Sequence, residues 1–404
     1  MTEPLVGPPY RLFFAAQVIS STGSAVAPIA LAFAILGIGG GGSGIALVLG
    51  TEFVIYTLLL PLTGVIADRT AGVGALVSSQ VIAAVFQMTE AVLIISGSAT
   101  VWSLAIVASG GAAGAALFTP IGQRVIPQLV PVDQLNRANA LSQTARHGIA
   151  VIGPVSGGML VATAGPGWGI CWDSITFAVA AIMFARLPLA AGMSSCARPA
   201  RWPAGLADGW RALGSRTWLW SMTFSQCVGG AAFMAALVIG PAYARQHLNG
   251  ALGWGLINSC LAGGTAAGGI LAAAWTTRRP GILISLCMAG MPLGCWAAGL
   301  GLPLPVILLA TAIAGAVYGP AGVTRQTLIQ QHIPHQELGR VSANIELAES
   351  IPVPIAYAIA GTAADRLGTQ MVMTACAAVI ATASLIPLAV RDVRQLSLLP
   401  TDSP

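Results

Sequence analysis

The sequence predicts an all-α membrane protein, with twelve transmembrane helices arranged as two pseudo-symmetric six-helix bundles. Three observations lead to this fold class: an apolar composition, the number of long apolar runs, and an internal repeat. The chain of 404 residues is 56% hydrophobic and only 8% charged, with a mean hydropathy of +0.81. Soluble domains carry about 25% charged residues, so the composition excludes a water-soluble fold.

Twelve apolar runs are long enough to cross a bilayer, because a helix needs about 20 apolar residues to span a hydrocarbon core of about 30 Å. The first six runs cover residues 10–36, 45–67, 73–96, 101–122, 138–164 and 168–187. The second six cover residues 218–242, 252–275, 281–300, 304–323, 341–364 and 369–390. The pattern therefore predicts two equal sets of spans.

The polar stretch between the two sets predicts the domain organisation. Residues 1–187 form the first bundle, 188–217 a cytoplasmic linker, and 218–404 the second bundle with a short tail. One helical face of the linker carries three apolar side chains, those of Leu206, Trp210 and Leu213. This pattern is typical of a short helix lying on the membrane surface, with a solvated linker as the alternative.

The arginines orient the spans. All 18 basic residues are arginine, and fifteen of them fall on the side of the N-terminus when the spans alternate. Only Arg245 and Arg366 fall on the opposite side, and Arg146 lies within a span. Because cytoplasmic loops are enriched in basic residues, we expect a multi-pass protein of the inner (cytoplasmic) membrane with both termini in the cytoplasm.

The two halves also repeat in sequence. Residues 131–140 align without gaps to residues 334–343, with Pro, Leu, Arg and Ala coinciding at an offset of 203 positions. Both copies lie in the connection that leads into the fifth span of their set. A parallel duplication of six-helix bundles, with a substrate site near the midplane between them, is a known plan for transporters.

Other function classes find little support. The seven cysteines form no CxxC pair and no spacing suited to zinc, and the nucleotide-binding pattern G-x-x-x-x-G-K-[ST] is missing. The arginines are scattered singly, unlike a nucleic-acid footprint. The sequence also lacks a nucleophile–base pair of the kind that would indicate an enzyme. We therefore expect no cofactor, no metal and no nucleic-acid partner.

Two motifs carry a family resemblance. Residues 64–69 read Gly-Val-Ile-Ala-Asp-Arg after the second span, and residues 153–158 read Gly-Pro-Val-Ser-Gly-Gly in the fifth. They resemble the G-x-x-x-D-R loop and the G-P-x-x-G-G antiporter motif of the major facilitator superfamily, in its drug- and siderophore-exporter-like branch. The chain departs from such exporters at Ser24, where an acid often follows the glycine of the first span.

The resemblance implies a gating role for both motifs. Asp68 and Arg69 would latch an inner gate near Arg340 at the start of the eleventh span. A mid-membrane proline bends a helix and flanking glycines allow close helix approach, so the second motif would form a flexible gate, through Gly153, Pro154, Gly157 and Gly158. The alternatives are a topology signal for the first motif and plain packing for the second.

Ionisable side chains inside a bilayer are costly and are therefore functional candidates. Those predicted to couple protons to transport are Glu349, Glu346, Arg146 and Glu52. At the repeat offset Arg146 corresponds to Glu349, which is the first candidate. Hydration of the acids in an inner vestibule is the alternative. A structural role is favoured for Glu90, and Asp173 is tolerated near a helix N-terminus.

In the fold that the resemblance implies, spans 1, 4, 7 and 10 line the substrate cavity. Their candidate binding side chains are Gln17, Thr22, Trp220, Gln226, Met234 and Tyr318. These side chains offer no fixed charge pair, which favours an uncharged or weakly cationic, fairly apolar solute.

The sequence thus predicts a secondary active transporter that exports a small amphipathic molecule, such as an antibiotic, siderophore or related metabolite. Proton antiport with alternating access is the expected mechanism. The expected partners are the substrate, protons and the lipid bilayer, and we expect a monomer. A uniporter or importer of the same fold is the first alternative, and a non-transporting membrane receptor is the second.

Overall fold

The structure is a computed structural model that describes residues 7–70, 72–131, 134–188, 210–273 and 277–397. Side chains at 60–70, 119–120, 123–124, 273 and 335–336 fall outside this description. Within the described ranges the chain is helical and contains no β-strand.

Six long helices make up the first half of the chain. They are α1 (Pro8–Gly37), α2 (Gly41–Thr70), α3 (Val73–Ile95), α4 (Val101–Leu129), α5 (Leu135–Ala164) and α6 (Pro166–Ala185). Short turns connect them, and glycines with positive φ occupy several of these turns, for example Gly39 at 81° and Gly165 at 94°. Glycine adopts this conformation without the steric penalty that a side chain brings.

From residue 217 onward the described ranges contain nine α-helices and one 3-10 helix, Ile386–Ala389. The α-helices are α7 (Thr217–His247), α8 (Gly250–Ala273), α9 (Pro280–Gly290), α10 (Leu293–Gly299), α11 (Leu304–His332), α12 (His335–Ser350), α13 (Val353–Leu367), α14 (Thr369–Leu385) and α15 (Arg391–Gln395).

Twelve helical segments of the described chain are long and apolar enough to cross a membrane. Their number and positions confirm the twelve predicted spans. The ends differ, because a helix does not stop where its apolar run stops. The tenth apolar run ends at residue 323, for example, whereas α11 continues to His332. Arg325, which the sequence placed in a connection, therefore lies within a helix.

The eleventh span is interrupted at a proline pair. Helix α12 ends at Ser350 and α13 begins at Val353, with Pro352 between them and Pro354 at the second position of α13. Proline lacks an amide donor and clashes with the preceding turn. The two prolines therefore account for the break in the helix at this point.

By internal contacts the described chain divides into two compact units. The first consists of the described residues of Met1–Arg198 together with Ala244–Ser259. In this unit α6 packs extensively against α1 and α3, and the hydroxyl of Tyr10 donates a hydrogen bond to the carbonyl of Ala138 at 2.6 Å, which ties α1 to α5. The predicted domain boundaries remain a prediction.

The second unit consists of the described residues of Pro199–Tyr243 and Cys260–Pro404. One of its cores includes Leu213, together with Leu219, Ile329 and Val341. Residues 210–214 are helical, and Trp210 is 41% exposed whereas Leu213 is 6% exposed. Leu213 therefore packs against protein, whereas the sequence predicted that this face of the linker helix would lie on the membrane surface. Leu206, the third residue of that face, lies outside the described residues.

Candidate functional site

The glycine–proline motif of α5 is a place of close backbone approach on two sides. Gly157 faces α1, where an added Cβ would lie 3.0 Å from the Cα of Val26. Gly158 faces the first turn of α8, where an added Cβ would overlap the carbonyl oxygen of Ala251. Gly153 likewise lies against Ala25 of α1. The motif therefore packs α5 against α1 and α8 at backbone distance.

Pro154 adds a polar contact to this packing. Gly255 of α8 lies directly against the backbone of Pro154, because a Cβ atom added to Gly255 would overlap the carbonyl oxygen of Pro154. The amide of Val155 donates a hydrogen bond to the hydroxyl of Ser259, also in α8, at 3.1 Å. A proline disturbs the normal helix ladder, and here a neighbouring backbone amide is satisfied by a side chain of another helix.

The predicted inner latch is only partly described. Asp68 and Arg69 belong to α2, but their side chains lie outside the described part of the structure. Arg340 lies in α12 and is exposed. A contact between Asp68 and Arg340 remains a prediction.

In the second unit, Glu349 of α12 forms an ion pair with Arg325 of α11. The side chains are 24% and 18% exposed, respectively. Next to the pair, the thiol of Cys227 in α7 donates to the carbonyl of Ala348 at 3.1 Å. Glu346, the other predicted acid of this helix, is exposed. The sequence reasoning missed Arg325 because it placed this residue beyond the end of the tenth span.

The predicted substrate residues of the first unit lie close to the first unit's larger cavity. Gln17 and Arg146 both line a cavity of about 330 Å³, together with Tyr56 and Gln80. Within the same cavity wall the hydroxyl of Ser20 donates to the side-chain oxygen of Gln80 at 3.3 Å. Thr22 instead donates to its own helix, at the carbonyl of Ile19.

The predicted substrate residues of the second unit are half-buried or exposed. Trp220 is 44% exposed and makes an edge contact with Phe224, with ring centroids 6.5 Å apart. Tyr318 packs at the edge of an apolar core of this unit. Gln226 and Met234 are half-buried in α7. Their role in binding remains a prediction.

A smaller cavity of the first unit collects three carboxyl groups. It measures about 190 Å³, and its lining includes Glu52 of α2, Glu90 of α3 and Asp173 of α6. Glu90 and Asp173 are each 1% exposed. The sequence reasoning considered these acids one by one and favoured a structural role for Glu90. It missed their convergence, since nothing in the linear order places them together.

Twelve helices of the described chain are long and apolar enough to cross a membrane, which defines the protein as a polytopic membrane protein. The model of the Major Facilitator Superfamily matches residues 13–357, and the chain belongs to this family. The predicted family and fold class are thereby confirmed.

Similar proteins include two efflux proteins. The multidrug efflux pump Tap of Mycobacterium tuberculosis is 27% identical over 307 residues, which cover 72% of this chain and 71% of that protein. Macrolide efflux protein A of Streptococcus pyogenes is 22% identical over 398 residues, covering 96% and 97%. The crystal structure of the nucleoside transporter NupG superimposes with a TM-score of 0.73 at 10% identity, covering 95% of this chain and 99% of that one. This last similarity shows the fold alone.

Proposed function

We propose that the protein is a secondary active transporter that exports a small amphipathic molecule by proton antiport. The substrate class comprises antibiotics, siderophores and related metabolites. Two similar proteins are named for efflux, one of multiple drugs and one of macrolides. The observation that carries the proton-coupled mechanism is the ion pair between Glu349 and Arg325.

Under this proposal the ion pair acts as a proton-operated switch. While Glu349 is ionised, its charge holds Arg325 and thereby ties α12 to α11. A proton on the carboxylate removes the attraction and leaves the guanidinium free to turn elsewhere. The pair is only partly exposed, so solvent screens it less than a surface pair.

The surroundings of Glu349 permit a movement in response. Helix α12 ends one residue later at Ser350, and the break at Pro352 separates it from α13. The contact from Cys227 to Ala348 links the same turn to α7. Protonation would in this way change how α12 packs against two helices of its own unit, which is the kind of two-state element that alternating access requires.

The gate is proposed to involve the α5 motif. Close approach of Gly157 to α1 and of Gly158 to α8 lets α5 slide or separate with little side-chain interlock. Asp68, Arg69 and Arg340 are proposed as the inner latch. The protein is proposed to act as a monomer in the inner membrane, with both termini in the cytoplasm.

Transport by purified protein in liposomes tests the proposal. A radiolabelled macrolide such as erythromycin is the first probe, followed by a panel of amphipathic dyes. We expect the probe to accumulate in vesicles with an acidic lumen, through those transporter molecules whose cytoplasmic side faces outward. Addition of a protonophore should abolish this accumulation. Uptake in the opposite sense would favour an importer or uniporter, and binding without any translocation would favour a receptor.

A further inference from the structure

Residues of five helices line the smaller cavity of the first unit. Helices α2, α3 and α6 contribute the carboxyl groups of Glu52, Glu90 and Asp173. Helix α1 contributes Ser24 to the wall, and α4 contributes only alanine and glycine. With a volume of about 190 Å³, the cavity holds several water molecules. It is the place in the described first unit where acids from three helices meet.

Two of the three acids are buried with an unsatisfied oxygen. Oε1 of Glu90 and Oδ1 of Asp173 have no hydrogen-bond partner among the described residues, and neither has Oε1 of the neighbouring Gln87. Buried acceptors are normally satisfied. Three unsatisfied acceptor oxygens around one cavity point to a ligand that supplies hydrogen-bond donors and positive charge.

Charged groups around the cavity do not supply that positive charge. The described lining contains three acids and no arginine or histidine. The adjacent larger cavity shares Ser24 and Phe177 with it, and adds Tyr56 and the basic side chain of Arg146. Arg146 lines that larger cavity rather than this one and is itself exposed. If all three carboxyls were ionised, two buried carboxylates and the partly buried Glu52 would share one cavity without a cation in its described lining, which is strongly unfavourable.

The geometry distinguishes between the possible positive ligands. No group of three or more His, Cys, Asp or Glu side chains in the described chain is placed to hold a metal ion. The three acids thus line one cavity without forming a set of metal ligands. A proton requires only one carboxyl oxygen, and a protonated carboxyl becomes the donor that its neighbours lack.

We infer that Glu52, Glu90 and Asp173 form a proton-binding site inside the first unit, with at least one of the three carboxyls protonated at neutral pH. The assignment of these protons to the transport cycle rests on the proposed antiport. The site is distinct from the pair of Glu349 and Arg325, which belongs to the second unit. It gives the first unit its own place to hold a coupling proton.

The packing of Asp173 connects this site to α1. The backbone of Asp173 lies directly against Gly23, where an added Cβ would be 2.7 Å from the Cα of Asp173. Below Ser24, the same face of α1 continues with Ser20 and Gln17 into the larger cavity that Arg146 lines. Polar side chains therefore extend from the acids to the predicted coupling arginine within one unit.

Infrared spectroscopy of the purified protein tests the site without any transport measurement. Protonated carboxyl groups give a C=O stretching band that shifts in D₂O and is missing from carboxylates. We expect this band at neutral pH in the wild type. It should lose intensity in at least one of Glu52→Gln, Glu90→Gln and Asp173→Asn, and most of its intensity in the triple variant. The matched control is Asp392→Asn, since Asp392 is exposed and should contribute nothing to the band.

Three results would overturn the inference: a wild-type protein without the band, a band that is unchanged in the triple variant, or a band that vanishes when sodium replaces choline in the buffer. The last result would make the cavity a sodium site. Since the glutamine and asparagine variants keep the size of each side chain, folding is checked by elution as a single species in size-exclusion chromatography. A double Glu90→Gln, Asp173→Asn variant replaces the triple variant if the latter does not fold.

The liposome assay separates this inference from the proposed function. If the band behaves as expected but the wild type shows no proton-driven export, the proton site stands and the antiport proposal fails. If export is proton-driven and the triple variant keeps both its band and its coupling, the antiport stands and the site is wrong. Loss of the band together with loss of proton dependence supports both.

Discussion

The carboxylate of Glu349 accepts a hydrogen bond from the guanidinium of Arg325, and this pair joins two helices of the second unit, α12 and α11. The repeat offset relates Glu349 to Arg146 in the other half of the chain. The structure shows that an arginine of the same unit, Arg325, pairs with this acid. A coupling role for Glu349 therefore has to include Arg325.

We expect Glu349→Gln to abolish proton-driven efflux while substrate binding is retained. Glutamine keeps the shape of the side chain but cannot change its charge, so a proton can no longer open the contact with Arg325. The checks are export in liposomes with and without a pH gradient, and binding by equilibrium dialysis. Efflux that still follows the pH gradient in this variant would exclude Glu349 and leave Glu52 as the next candidate.

The partner residue provides the reciprocal test. Arg325→Gln leaves Glu349 without its cation, so we expect proton-coupled export to fall at least tenfold while the protein remains folded. Because the pair is mostly buried, removal of one partner costs more than the loss of a surface pair, up to about 3–5 kcal/mol for a fully buried one, so folding is checked by size-exclusion chromatography. Arg216→Gln is the control, because Arg216 also pairs with a glutamate of this unit, Glu337, at 3.0 Å. Equal losses in both variants would indicate a purely structural role.

Gly158 is expected to tolerate no side chain. In the Gly158→Ala variant the new methyl group would overlap the carbonyl of Ala251, so α5 and α8 must move apart. We expect a severe loss of transport with normal membrane insertion. Gly148→Ala in the same helix is the matched control, since an added Cβ there meets nothing within 4 Å. Normal transport by Gly158→Ala would reduce the motif to passive packing.

Asp68→Asn is expected to cripple transport while the protein still folds and inserts. We expect the carboxylate of Asp68 to lie near the N-terminus of the eleventh span, where a negative charge contributes about 1 kcal/mol, and a change of this size shifts a balance between two conformations several-fold. Export rate and expression level are measured together. Unimpaired export would leave Asp68 as a signal for topology alone.

The orientation of the chain has its own test. Reporter fusions or cysteine labelling should place Ser195 in the cytoplasm and Asn249 outside. The physical reason is the concentration of arginines on one side of the predicted spans. Reversed labelling would contradict the predicted topology.

The sequence by itself determined the class of protein, the twelve spans and their grouping into two sets. These properties are local: apolar composition over about 20 residues decides whether a helix enters the bilayer, whatever lies elsewhere in the chain. The two motifs that carried the family resemblance are local as well. Helix ends were less predictable, as Arg325 shows, because backbone hydrogen bonding continues past the last apolar residue.

Only the tertiary structure decided which charges meet. Glu52, Glu90 and Asp173 lie on three different helices, and the sequence offered no reason to group them. Their convergence depends on how each helix is rotated about its axis, which packing against its neighbours sets. Gly23 illustrates the point: no acid neighbours this glycine in the first span, and the space beside it receives the carboxyl of Asp173 from α6. The charge that a buried acid can carry depends on the other groups in its cavity. That cavity is lined by residues that are distant from one another in the chain.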